Sequence, residues 1–239
     1  MVNHSRVAGV TLAAAVVAIG LTAQTPTASF AAVGEQATGT IIGRASVGTA
    51  PERTMVAVTT DQAVCGDEVE DRATVVDADG GVANAVVIVT GVPWDDAAVP
   101  MPVINNSGCY FVPRVQLAKT RTQIDVRSED DTLHTTHAYD DRQRSLFNIA
   151  IPSAGMSIKR PLRRPGVVRI ECDSHRWMRG WVVVSNNTGA VTGSDGGFEL
   201  SGIPPGTYEL TIWHERYAGV PQQVTVTAGG IAEATFRLE

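Results

Sequence analysis

Beyond residue 31, hydrophobic and polar positions alternate along the chain with a period of two, and helix-period stretches are almost absent. The alternation is clearest over residues 207–213 and 232–238, where apolar side chains occupy every second position. Successive side chains of a strand point to opposite faces, so this pattern predicts strands with one buried and one hydrated face. Gly229 and Gly230, which lie between two such runs, predict a hairpin turn.

Similar short runs recur along the chain between Gly, Pro, Asn and Asp residues. Many short strands with frequent turns are typical of β-sandwiches and β-barrels, and we therefore expect an all-β protein. The predicted strands cover residues 39–45, 54–60, 82–90, 122–126, 166–171, 180–185, 207–213, 222–227 and 232–238.

The first 31 residues have the composition of a secretory signal. Arg6 precedes an apolar run rich in Ala and Val, and small residues around Ala31 suit a cleavage site. The apolar run, residues 7–21, is shorter than the about 20 residues that a membrane-spanning helix needs. We therefore expect export to the periplasm or the exterior. An uncleaved N-terminal anchor is the alternative, and no other segment is expected to span a membrane.

The charged residues exclude one class of partner. The formal net charge is −6, and an acidic surface argues against nucleic acid, whose recognition needs basic stripes. The acidic pairs Asp130-Asp131 and Asp140-Asp141 lie in predicted loops and lack the alternating oxygen-ligand spacing of a calcium site. We interpret them as solvated turn residues.

The three cysteines are informative because thiols of exported proteins are usually oxidised. With an odd number, at least one must stay free, pair between chains or bind a metal. Cys65 and Cys109 have similar settings, since each adjoins a glycine near a strand-like run. We predict a disulfide between Cys65 and Cys109, which leaves Cys172 over.

Two short motifs contain three of the four histidines that follow residue 31. The motif LHTTH runs from Leu133 to His137, and CDSHRWM runs from Cys172 to Met178. A thiolate and two imidazoles in a plane, with a distant thioether as a weak axial ligand, form the blue-copper electron-transfer site. Such a ligand set is a compromise between the preferences of Cu(I) and Cu(II), so one electron moves with little reorganisation.

The second motif, with the Arg-Gly pair and the hydrophobic strand that follow it, resembles the copper loop of the cupredoxins, above all of the amicyanin branch. The resemblance covers roughly residues 108–185 and implies a Greek-key β-sandwich that holds one copper ion. Carried over residue by residue, it implies that the copper ligands are His134, Cys172, His175 and Met178. It also implies that His175 lies nearest the surface and is the exit for the electron.

Two further histidines and one departure from the family pattern bear on this site. His137 competes with His134 for the ligand role, and spacing from the preceding strand favours His134. Relatives place Asn directly after the first His ligand, whereas this chain has Thr135, which changes outer-shell hydrogen bonds and not the ligands. His214 is expected to be a structural or surface histidine at the end of a strand.

The C-terminal region resembles a second family. The sequences DGGFEL at residues 195–200 and GIPPGTYEL at residues 202–210 resemble the carboxypeptidase regulatory-like (transthyretin-like) module, which implies a small β-sandwich. The whole arrangement resembles a group of bacterial exported cupredoxin-like proteins, some of them similar to methylamine-utilisation proteins. We expect a signal peptide at 1–31, a β-rich segment at 32–104, a cupredoxin-like core at 105–185 and the regulatory-like module at 186–239.

These expectations combine into one functional hypothesis, an exported one-electron carrier that docks transiently with a redox protein of the cell envelope. Catalysis is not expected, because the chain has neither the His-x-His pairs of a copper oxidase nor a Ser-His-Asp nucleophile elbow. The alternative is a binding or structural module in which metal is stored or only stabilises the fold. A weaker third possibility is a subunit of a larger redox enzyme.

Overall fold

The computed structural model describes residues 1–2, 9, 37–97 and 99–239. The signal predicted for residues 1–31 lies, except for Met1, Val2 and Gly9, outside the described residues. Among the described residues, no helix combines the length and the apolar character that crossing a membrane requires.

The described chain is built almost entirely from β-strands, which confirms the predicted all-β class. The elements are β1 (Gly39–Ser46), β2 (Met55–Ala57), α1 (Gln62–Cys65), β3 (Glu68–Glu70), β4 (Val86–Pro93), β5 (Val103–Ser107), β6 (Tyr110–Val112), β7 (Val115–Lys119), β8 (Thr122–Ser128), β9 (His134–Tyr139), β10 (Ser145–Ile151), β11 (Ser157–Leu162), β12 (Gly166–Glu171), β13 (Arg179–Ser185), β14 (Asn187–Val191), β15 (Gly197–Ile203), β16 (Gly206–Trp213), β17 (Gln222–Val226) and β18 (Ile231–Arg237).

The first sandwich combines strands from both ends of the chain. One sheet has the order β15-β1-β18 and the other the order β14-β4-β16-β17, and both contribute to one core that includes Ile41, Val87, Leu210 and Phe236. Strand β1 lies between an antiparallel and a parallel partner. Strands β17 and β18 belong to different sheets, so the Gly229-Gly230 turn connects the two layers and is not the predicted hairpin.

The second sandwich consists of a five-stranded sheet, β10-β9-β12-β13-β7, and a four-stranded sheet, β11-β8-β5-β6. Its core includes Ile104, Ile124, Ala138, Ile170 and Val182. Strand β9 and the end of β12 are antiparallel neighbours in the larger sheet, which places the segment after β12 beside the beginning of β9.

The two sandwiches pack against each other through the outer faces of one sheet from each. Strand β13 is buried on both sides, since Val182 points into the second sandwich whereas Trp181 and Val183 contact the first. Val86 and Trp213 face them from β4 and β16, and the rings of Trp181 and Trp213 lie 5.4 Å apart. Burial on both faces explains why β13 is a nearly continuous hydrophobic run and does not alternate.

A buried ion pair also joins the two sandwiches. The guanidinium of Arg114 donates two hydrogen bonds to the carboxylate of Glu215, at 2.6 and 2.9 Å, and both side chains are almost inaccessible. Loss of either partner would leave an uncompensated buried charge, so the pair is costly to break. Because its two parallel hydrogen bonds also require one geometry, the pair fixes the alignment of the two surfaces.

Strands of the predicted segment 32–104 are distributed over the molecule. Strands β1 and β4 are part of the first sandwich, β5 is part of the second, and β2 and β3 form a separate two-stranded sheet. The predicted boundaries thus divide the chain by sequence position, whereas the sheets combine strands from both sides of each boundary.

We expect Ile41→Ala to lower the free energy of unfolding by about 2–5 kcal/mol, because it opens a cavity in the core of the first sandwich. Ile231→Ala, in the parallel neighbour β18, is the matched control, since Ile231 is 70% exposed and Ile41 is fully buried. Urea denaturation measures both effects. Equal effects of the two substitutions would contradict the placement of β1 in this core.

Candidate metal centre

The end of the second sandwich gathers the residues of both sequence motifs. His134 is the first residue of β9, Cys172 directly follows β12, and His175 and Met178 lie in the loop that leads into β13. The hydroxyl of Thr135 accepts a hydrogen bond of 2.6 Å from the backbone N–H of Asp173, which ties this loop to the beginning of β9. Neighbouring strands therefore bring together donors that are 38 or more residues apart in sequence.

Three of the four predicted ligands converge on one point. The ligand atoms of His134, Cys172 and His175 lie within 4.8 Å of one another, and all three side chains are buried. The Nδ1 atoms of the two histidines are 3.0 Å apart, and the Sγ atom of Cys172 lies 3.5 Å from Nδ1 of His175. One sulfur and two imidazole nitrogens in this arrangement are donors that suit a soft or borderline transition-metal ion.

The outer nitrogen of each imidazole contacts a carboxylate. Nε2 of His134 lies 2.9 Å from Asp130, and Nε2 of His175 lies 2.8 Å from Asp61. An ionised carboxylate only accepts hydrogen bonds, so each Nε2 carries the proton and each Nδ1 presents a lone pair. Outer carboxylates of this kind fix the tautomer and the ring orientation of metal-binding histidines.

Two lone pairs that face each other at 3.0 Å repel unless a positive charge lies between them. The donors therefore fit a cation, and the sulfur beside them fits a soft one. Burial, and next the neighbouring His175, hold the pKa of His134 below its ordinary value. A lowered pKa keeps this imidazole neutral, as coordination requires.

Thr135 makes hydrogen bonds to the loop that contains Cys172 and Asp173. Its backbone N–H donates a hydrogen bond of 3.3 Å to Sγ of Cys172, and its hydroxyl lies 3.7 Å from the same sulfur. Hydrogen bonds to a ligand sulfur tune the potential of a metal site and hold the ligand in place. Thr135 therefore connects the beginning of β9 to the loop that contains Cys172 and Asp173.

Met178 and Trp177 lie in the loop between β12 and β13 and pack in the core of the second sandwich. The Met178 side chain is 1% exposed and belongs to the same core cluster as Cys172, and its backbone N–H donates to the carbonyl of His175 at 2.9 Å. The Trp177 ring lies 5.0 Å from the His175 ring, and its indole N–H donates to the carbonyl of Cys109.

His137 and His214 lie outside the donor group. His137 is three residues from His134 on a strand, so its side chain points to the opposite face, where it contacts Asp173, Tyr139 and Ser145. His214 belongs to the first sandwich, where Nδ1 accepts two backbone N–H groups and the ring stacks on Tyr217. The structure thus separates both histidines from the ligand atoms of the predicted site.

Cys65 and Cys109 form a disulfide with a Cα–Cα distance of 5.5 Å. Cys109 also lies close to Asp130 and His134, and the three form a second group of possible ligands. Since the sulfur of Cys109 is bonded to Cys65, it offers no thiolate to a metal. The carboxylate of Asp130 accepts hydrogen bonds from the backbone N–H groups of Gly108 and Cys109, at 2.7 and 2.9 Å. In this second group, Cys109 holds Asp130, and Asp130 holds His134.

Two functional side chains were missed or misinterpreted at the sequence level. Asp130 is not a solvated turn residue, because it is nearly buried and holds His134. No local sequence pattern indicates a role for Asp61, because its contact with His175 joins two residues that are 114 positions apart in the sequence. The His175 side chain is fully buried, and the partly exposed carboxylate of Asp61 lies between its Nε2 and solvent.

One comparison with known proteins agrees with the resemblance of the C-terminal region. Residues 180–239 match the family model of the carboxypeptidase regulatory-like domain. A search of curated proteins found no match.

Several solved structures are similar to part of the chain. A variant of amicyanin in its reduced Cu(I) form at pH 4 is 16% identical, with a TM-score of 0.31, over 41% of this chain and 98% of that one. A second reduced amicyanin variant has the same identity and coverage, with a TM-score of 0.33. The purple cupredoxin from Nitrosopumilus maritimus is 21% identical, with a TM-score of 0.32, over 35% of this chain and 99% of that one. At these identities, arguments about function must come from the site itself.

We expect Asp130→Ala to lower the free energy of unfolding by about 3 kcal/mol, because it leaves two buried donors and one partly buried donor without an acceptor. These donors are Nε2–H of His134 and the backbone N–H groups of Gly108 and Cys109. Asp131→Ala is the matched control, since the side chain of Asp131 is exposed. Denaturation of the metal-free protein measures the difference, and similar values for both variants would contradict the assigned hydrogen bonds.

Proposed function

We propose that the protein binds one copper ion through His134, Cys172 and His175, with Met178 as a weak fourth ligand, and carries single electrons. The observation that supports this proposal is the convergence of one buried thiol and two imidazole Nδ1 atoms whose protons are held elsewhere. Bound copper would supply the one-electron redox chemistry. The side chains that surround the ligands would hold them in place.

These side chains would keep the ligands in one arrangement in both oxidation states. Asp130 and Asp61 orient the two imidazoles, and Thr135 holds the thiolate from the opposite side. Because the ligands lie in a closed core with few alternatives, little motion would accompany the gain or loss of an electron. This rigidity favours a carrier over an enzyme that must admit a substrate.

The place of action that we propose is the cell envelope, either the periplasm or the exterior. The signal predicted for residues 1–31 supports export, and a disulfide is typical of an oxidising compartment. The partner would be a redox protein that docks briefly, as weak electron-transfer encounters with small interfaces do.

The second candidate function is copper storage in a structural or binding module. It is favoured by one observation: the edge of His175 is covered by Asp61, so no ligand edge is open to a partner. Storage would use the same ligands but would not need reversible oxidation.

We expect the metal-free protein to develop an intense blue thiolate-to-copper band when one equivalent of Cu(II) is added. His134→Gln and Cys172→Ser should abolish this band, because each removes a donor to the metal. His137→Gln is the matched control and should keep the band, since His137 points away from the site.

The response of the loaded protein to redox reagents distinguishes the two candidate functions. A carrier loses its colour with ascorbate and regains it with ferricyanide while the copper stays bound. A storage protein binds Cu(I) without a reversible colour change. Retention of the band in Cys172→Ser would overturn the ligand assignment.

A further inference from the structure

We infer that residues 55–70, which we call the cap, close the metal centre against solvent and control access to it, with Asp61 as the positioning residue. The cap comprises β2, α1 and β3. This inference concerns the protein without metal, and it uses the proposed copper site only for a second measurement.

The cap touches the metal-site loop through two side chains. The carboxylate of Asp61 accepts a hydrogen bond from Nε2 of His175 at 2.8 Å, and the hydroxyl of Thr60 donates to the carbonyl of Ser174 at 3.1 Å. The His175 side chain is completely inaccessible, whereas that of Asp61 is 44% exposed. Asp61 is therefore the outermost group between the ligand His175 and solvent.

Apart from these contacts, the part of the cap near Asp61 is weakly held. Strands β2 and β3 pair only with each other, and α1 buries none of its residues. Met55 and Val64 are exposed, and Val58 and Val69 are the cap's buried hydrophobic residues. Segments with few buried contacts open locally at low free-energy cost, without unfolding of the rest.

The C-terminal part of the cap is anchored by contrast. Cys65 is bonded to Cys109, and the backbone N–H of Glu70 donates to the hydroxyl of Tyr110 at 2.8 Å. The backbone N–H of Cys109 in turn donates to Asp130, which holds His134. The cap from Cys65 onward is thus fixed to the residues that support the first histidine, while the part before Cys65 rests on the second histidine through Asp61.

The cap therefore has a fixed part from Cys65 onward and a movable part around Asp61. Asp61 has a left-handed backbone conformation, with φ of 54°, which Asp tolerates better than most residues and which the surrounding contacts maintain. Breaking the two contacts at Thr60 and Asp61 exposes His175, and Cys172 lies directly behind it at 3.5 Å. A metal ion, a chelator or a thiol reagent of small size would reach the donor atoms by this opening.

The rate at which iodoacetamide alkylates Cys172 in the metal-free, folded protein tests the inference. Cys172 is the sole free thiol and is buried, so its labelling reports on access. We expect Asp61→Ala to raise the rate about tenfold or more, because it removes a hydrogen bond to a charged acceptor. Asp61→Asn should restore much of the protection, since an amide oxygen can accept the same bond and Asn also tolerates the left-handed conformation.

Asp67→Ala is the matched control in the same segment, because the Asp67 side chain is exposed and makes no hydrogen bond with the described residues. The double variant Cys65→Ser/Cys109→Ser releases the anchored end and leaves Cys172 as the sole cysteine, and it should also label faster. Wild-type rates in both Asp61→Ala and the double variant would overturn the inference.

Native-state hydrogen exchange of the unaltered protein provides a measurement that does not depend on any variant. The amides of Val58 and Val64, which donate to the backbone carbonyls of Asp67 and Asp61, should exchange faster than those of β9 and β12, through an opening whose rate does not change at low denaturant concentrations. Exchange of these amides only by global unfolding would contradict a movable cap.

The rate at which bathocuproine disulfonate removes Cu(I) from the loaded protein is the second readout, and it should rise in Asp61→Ala and not in Asp67→Ala. If copper does not bind at all, the proposed function fails, while the alkylation and exchange results still decide whether the cap exists.

Discussion

The fixed protonation of two imidazoles is the constraint on which the site depends. Asp130 and Asp61 accept hydrogen bonds from the outer nitrogens of His134 and His175, so the inner nitrogens meet as lone pairs 3.0 Å apart in a buried region. A cation bound between the two nitrogens, or a proton on one of them, relieves the repulsion. The carboxylates therefore determine what the centre can bind before any ligand arrives.

The second sandwich supplies the rigid frame for this constraint, and the first sandwich stiffens that frame. Strand β13, which follows the metal-site loop, is packed on one face by the core beneath the site and on the other by the neighbouring sandwich. The buried pair of Arg114 and Glu215 sets the alignment of the two surfaces. A region that matches a carboxypeptidase regulatory-like domain thus contributes a structural support to a site that it does not contain.

Sequence reasoning was successful where the signal is local. Alternating residues predict the strands, and the Cys-x2-His-x2-Met spacing predicts that three of the candidate ligands share one loop. It was less successful wherever the outcome depends on distant pairing. Nothing near Asp61 indicates that it will meet His175, and nothing in residues 39–46 indicates that they will lie between β15 and β18. Asp130 was misinterpreted because an acidic residue before a strand is usually hydrated, whereas here two backbone N–H groups and an imidazole occupy its oxygens.

The parallel pairing of β1 with β18 has a consequence for how the chain matures. The two strands are neighbours in the sheet although almost the entire described sequence separates them, from Thr40 opposite Ile231 to Ser46 opposite Arg237. Loop-closure entropy must be overcome before such a contact is gained, so pairing of this kind forms slowly and late. During synthesis, β1 has to wait for β18, and its unpaired edge is exposed to other chains throughout that interval.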